Sequence, residues 1–127
     1  MSRALVLMGS GETSPTMVTP HQQILKEIAG EKLVLDTPYG FQENADELTA
    51  RIQTYFEFNV GHKTKAVQLR SKRDSAAEIA GAISAINSSE WVFTGPGSPT
   101  YALETWRVSG AGEALKALLT RGTLVVS

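Results

Sequence analysis

The sequence predicts an α/β fold: a mostly parallel sheet with helices on both faces. Short apolar runs bounded by Gly, Pro and Asp alternate with longer stretches whose apolar residues recur three and four apart, the signatures of buried strands and amphipathic helices. The two signals take turns along the chain instead of segregating, which points to βαβ units. The composition, 42% hydrophobic and 20% charged over 127 residues, is that of a soluble globular domain or part of one.

In chain order, Ala4 to Met8 reads as a first strand. Thr19 to Ala29 follows as a helix with Ile24, Leu25 and Ile28 on one face and Gly30 as its stop signal. Lys32 to Asp36 is the second strand, and Asn44 to Phe58 a helix, capped by Asn44, with Leu48, Ile52, Tyr55 and Phe56 inward. Lys65 to Leu69 is more polar and suits a sheet edge. Asp74 to Asn87 is an Ala- and Ile-rich helix with Asp74 as the expected N-cap, and Glu90 to Thr94 is the fourth strand. A short helix carrying Trp106 follows, then Gly112 to Arg121 as a helix ended by Gly122, and Thr123 to Val126 as the fifth strand. Right-handed crossovers make this a three-layer αβα sandwich, with a flavodoxin-like strand order expected. A last strand with no helix after it should leave Leu124, Val125 and Val126 half-packed, so the natural unit is expected to be longer.

Twelve Lys and Arg against thirteen Asp and Glu give a net charge of -1, which argues against nucleic acid or an anionic membrane as partner. The chain has no cysteine, hence no disulfide, thiolate nucleophile or Cys-based zinc site. The N-terminal apolar run is too short for a signal sequence and no stretch approaches the roughly 20 apolar residues of a membrane helix, so a cytoplasmic protein is the default expectation. No His or carboxylate pair has metal-ligand spacing, and no cofactor is implied. His21 and His62 lack a serine and a carboxylate at recognisable spacing and are assigned to structure. Arg70-Ser71-Lys72-Arg73 reads as a solvated approach to a helix.

Ligands of open α/β sheets bind beyond the carboxyl ends of the strands, and three loops there are unusual. Gly9-Ser10-Gly11-Glu12 lacks the third Gly of a dinucleotide fingerprint and the Gly-Lys of a P-loop. Its glycines serve a tight turn or leave N–H groups free for an anion or carbonyl. Glu12 could bind a substrate amine, although exposure to solvent is the commoner state. Asp36, before Thr37-Pro38-Tyr39-Gly40, is expected to structure its own backbone neighbourhood. Most informative is Gly95-Pro96-Gly97-Ser98-Pro99-Thr100-Tyr101, whose glycine N–H groups suit an oxyanion hole and whose Tyr101 could wall a pocket.

The 95–101 run, the 9–12 loop and the Gly-plus-strand element at 122–127 resemble the cyanophycinase and dipeptidase E serine peptidases, within the class I glutamine amidotransferase-like folds. Pro96 and Ser98 depart from the usual Gly-Gly or Gly-Asn and mark a divergent subgroup. In that family the corresponding last strand leads into a nucleophile elbow, Ser-Ala-Gly-Ala. The resemblance therefore implies that residues 1–127 are the N-terminal part of a single hydrolytic domain. Ser127 is expected to precede the nucleophile by a residue or two, and the catalytic His and its acidic partner to lie further on. It makes Gly97, Gly95 and Ser127 the candidate catalytic residues and Gly9, Ser10, Gly11, Glu12, Ser98 and Tyr101 the candidate substrate-binding residues. A small peptide-like substrate is implied, with homo-oligomerisation open, and the chain alone should be inactive. The competing reading is a non-catalytic small-molecule binding domain on the same fold.

Overall fold

The computed structural model describes residues 4–8 and 11–127. Five strands, β1 Ala4–Leu7, β2 Glu31–Leu35, β3 Lys65–Val67, β4 Ser89–Thr94 and β5 Thr123–Val126, form one fully parallel sheet in the order β1-β5-β4-β2-β3. The helices are α1 Val18–Leu25, α2 Ala45–Thr54, α3 Ala76–Asn87, α4 Pro99–Ser109 and α5 Ala111–Leu118. The order follows from handedness. A right-handed crossover moving one way across the sheet lays its helix on one face, and a crossover moving back lays it on the other. The steps β1 to β2 to β3 run outward and put α1 and α2 on the first face; β3 to β4 to β5 return and put α3, α4 and α5 on the second.

Alternation along each strand then fills two cores. On the first face Val34, Trp91, Phe93 and Val125 meet Leu25, Ile28, Ile52 and Phe56. Phe56 stands edge-on to Trp91 and Phe93, with ring centroids 5.1 Å from each. On the second face Leu33, Leu35, Val92 and Leu124 meet Ala82, Ile86, Trp106, Leu115 and Leu118. The three-layer αβα expectation holds, and β3 lies at an edge as its polarity suggested.

Several boundaries differ from expectation. The first helix ends at Leu25, four residues early, because Ile28 is buried by a turn whose N–H reaches the Leu25 carbonyl. A 3₁₀ turn, Pro15–Met17, precedes it. The second helix stops at Thr54 and loosens into a π-helical turn, Tyr55–Val60, closed by left-handed Gly61; Asn44 occupies its cap position without a side-chain bond. Asp74 does not cap α3. Ser75 does, in a reciprocal box with Glu78, while Asp74 accepts from the Arg70 N–H. The chain after β4 forms a full helix, α4, started by the Ser98 cap and Pro99 at its first position.

The half-packed strand expected at 124–126 is corrected at Leu124 and Val125, while Val126 is half-buried as expected. Leu124 and Val125 are buried, because β5 lies inside the sheet between β1 and β4. The uncovered apolar surface belongs instead to β1, where Leu5 and Leu7 are 54% and 74% exposed on the second face. Among the described residues no helix is long and apolar enough to cross a membrane.

Candidate functional site

With every strand parallel, the segments after β1, β2, β4 and β5 lie along one edge, so loops 11–14, 37–43 and 95–101 share it as the alternation predicted. Gly9 and Ser10 lie outside the described residues.

The loop after β4 is docked onto the loop after β2. Ser98 donates its N–H to the Pro38 carbonyl at 2.8 Å. Gly97 sits at φ +152°, and a Cβ there would fall 2.0 Å from the same oxygen, so no other residue fits without moving backbone. The exposed Gly97 N–H donates to no described residue. Gly95 is needed for a different reason: its Cβ would meet the buried Tyr39 ring at 2.7 Å and Ile52 at 2.9 Å. Ser98 Oγ accepts from the Tyr101 N–H and so starts α4. Tyr101 donates its hydroxyl proton to the Arg70 carbonyl and packs edge-on against Phe41 at 5.2 Å.

Ser127 follows β5, between the loops after β1 and β4. Its buried Oγ has no hydrogen-bond partner. It lies at one end of a groove of about 520 Å³, together with Gly97, Pro38 and Thr94; the groove continues over the second face past Leu7, Leu124 and Trp106.

Contrary to expectation, Asp36 makes no side-chain bond to its own turn; its carboxylate binds the segment after β3. It is 1% exposed, and its two carboxylate oxygens accept from the Leu69 N–H and from Arg70 Nε, each at 2.8 Å. Burial raises its pKa, and the Leu69 and Arg70 bonds only partly offset this. Arg70 also pairs with Asp46, so it is an anchor and not the solvated charge its basic neighbours suggested. Lys72, from the same run, pairs with Glu104 on α4.

Glu12 is buried rather than exposed. Its carbonyl meets His21 Nε2 at 2.7 Å, and the Tyr55 hydroxyl donates to the Ser14 carbonyl at 2.8 Å. His21 is fully buried among the rings of Tyr55, Phe56 and Phe93. Burial lowers its pKa, which keeps it neutral, in accord with a structural role. His62 follows Gly61 and precedes β3, which puts it at the amino edge, opposite the loops. Neither imidazole is placed to serve Ser127. His21 and Tyr55 are the residues at this edge that the sequence did not single out as a pair. Their helical spacing to the rest of the core was legible, but the loop they hold is reached only through tertiary structure.

These features define a doubly wound α/β protein of the flavodoxin-like class, with its glycine-containing loops at the carboxyl ends of its strands. Two solved structures of that architecture superpose on it. One, a peptidase from an acI-B1 Actinobacterium, matches with a TM-score of 0.77 at 16% identity, over 96% of this chain and 52% of that one. The other, a Listeria monocytogenes EGD-e protein assigned to peptidase E, matches with a TM-score of 0.60 at 15% identity, over 97% and 56%. The chain thus spans about half the length of each. No protein-family model and no curated protein matches the sequence.

Proposed function

We propose that these residues form the N-terminal part of a serine-type hydrolase of a peptide or isopeptide bond, similar to dipeptidase E and cyanophycinase. The observation that carries it is that Gly97, whose N–H has no described acceptor, lines the same groove as the chain position after β5, where Ser127 Oγ stands unpartnered. In acyl transfer a serine oxygen attacks the carbonyl carbon and charge develops on the carbonyl oxygen; donors preorganised for that oxygen lower the barrier. Gly97 supplies one such donor. The nucleophile is a serine at the end of β5, at or within a residue or two beyond Ser127. Both solved neighbours are described as peptidases, which supports the reading.

The test uses a protein carrying this segment with the rest of the fold that the neighbours have. Turnover of an aspartyl dipeptide, with covalent labelling of the serine after β5 by a fluorophosphonate, is expected. The 127-residue chain alone should give none, because no described imidazole reaches Ser127. Stoichiometric binding of the dipeptide with neither turnover nor labelling would favour the second reading, a binding domain.

A further inference from the structure

The turn after β1 is held from below by two side chains that are themselves buried in aromatic packing. Gly11 to Ser14 closes with the Ser14 N–H on the Gly11 carbonyl at 2.9 Å, Gly11 adopting φ +93°. The Glu12 carbonyl then points to His21 Nε2, and the Ser14 carbonyl to the Tyr55 hydroxyl. A carbonyl only accepts, so Nε2 carries the imidazole proton, and Nδ1 is left buried without a partner. A buried ring with an unsatisfied nitrogen costs stability, so what it holds has to be specific. In a planar trans peptide the C=O and the following N–H point in opposite directions. Fixing the Glu12 carbonyl toward the aromatic core therefore aims the Thr13 N–H away from it, and no described residue accepts from that N–H. Pro15 has no N–H to compete.

We infer that His21 and Tyr55 are positioning residues that orient the Gly11–Ser14 turn so that the Thr13 N–H is a donor for a carboxylate or carbonyl oxygen of a bound peptide. The inference rests on the peptide-substrate reading for the nature of the ligand. The clamp itself does not, and it is tested first without ligand. In the ¹⁵N,¹³C-labelled chain, His21→Leu should move the Glu12 carbonyl carbon and Thr13 amide resonances and speed exchange of the Ser14 amide, which is bonded to the Gly11 carbonyl, by on the order of 10-fold or more. His21→Gln keeps an N–H donor at similar reach and should restore both. Tyr55→Phe, which keeps the ring, should loosen Ser14 without unfolding the chain and serves if His21→Leu does not fold. Glu12 and Thr13 resonances unchanged in His21→Leu, or the Ser14 carbonyl unchanged in Tyr55→Phe, would overturn the clamp.

The ligand arm titrates aspartyl-leucine. A saturable downfield shift of the Thr13 amide is expected, with a dissociation constant about 10-fold weaker in Tyr55→Phe and His21→Leu, the scale of one lost hydrogen bond, and recovered in His21→Gln. Binding that shifts the Gly97 amide and leaves Thr13 still would overturn the donor role and keep the proposed function. A dipeptide that shifts neither amide would count against the donor role and against the peptide-substrate reading together, while the ligand-free result still decides the clamp.

Discussion

Replacing Arg70 by Met would leave the buried Asp36 carboxylate with only the Leu69 N–H. Arg70 is 29% exposed, so the cost should fall below the ~3–5 kcal/mol of a fully buried pair, at roughly 2–3 kcal/mol near neutral pH. Burial already raises the Asp36 pKa, and removing the guanidinium raises it further. A carboxyl whose folded pKa is raised binds protons more readily folded than unfolded, so stability is lost as pH rises through that window and regained on acidification. The gap between wild type and Arg70→Met should therefore narrow from pH 7 toward about pH 4 in urea melts, and a widening gap would contradict it. His21 works in the opposite sense. Its pKa is lowered by burial against the opposing pull of Glu12, the charged group facing it, with Tyr55 the other titratable neighbour. Its contribution is lost as pH falls below about 6.5, and His21→Gln should flatten that acid loss. At Gly97, alanine meets the Pro38 oxygen and a left-handed φ, so a loss of about 1–3 kcal/mol is expected, seen as a lower melting temperature. That Asp36 bonds backbone could be read from a strand-end Asp, but its partners Leu69 and Arg70 could not, since they lie beyond β3 and not in its own turn. The burial of Glu12 could not be read either, since its partner His21 lies on a helix, and Tyr55, which holds Ser14 beside it, on a π-turn that only the fold brings near.

Helix ends carry local chemistry, yet their caps were misassigned from the sequence. Ser75-Ala76-Ala77-Glu78 spells the capping box, although the preceding Asp74 competes for the cap on composition alone. Ser75→Ala should lower the unfolding free energy by about 1 kcal/mol, and Asp74→Ala should act differently, by freeing the Arg70 N–H that holds the approach to α3. Equilibrium urea unfolding of the two single variants and the double separates the effects, near-additivity being expected if the two bonds are independent. Ser98-Pro99 announces α4 in the same way. What the sequence hides is where a continuous helical pattern changes pitch. Tyr55 and Phe56 keep the apolar spacing of α2, yet the turn widens there because both rings must reach the first-face core around His21. The early end of α1 has the same origin, in tertiary packing of Ile28 rather than in a local stop.

Strand order belongs to the molecule as a whole, and no window of the sequence contains it. Alternation and handedness give a parallel sheet and assign helices to faces, but which strand is internal depends on pairings between distant segments. That is why the half-packed surface was expected on β5 and is found on β1. Leu7, at 74% exposure, contributes little to the core, so Leu7→Lys should change stability by less than about 0.5 kcal/mol while reducing the binding of a hydrophobic dye to the groove. A large loss of stability would mean that the leucine is covered in solution. The pairing of β1 has a consequence in time. Among the described strands, Ala4 to Leu7 pairs only with Thr123 to Val126, a strand far from it in sequence. On a ribosome β1 is made on the order of ten seconds before β5, its partner among the described strands. Until then its two leucines and an unpaired backbone edge are open to chaperones or to a neighbouring nascent chain. β1 therefore cannot pair with β5 until the intervening strands have been made.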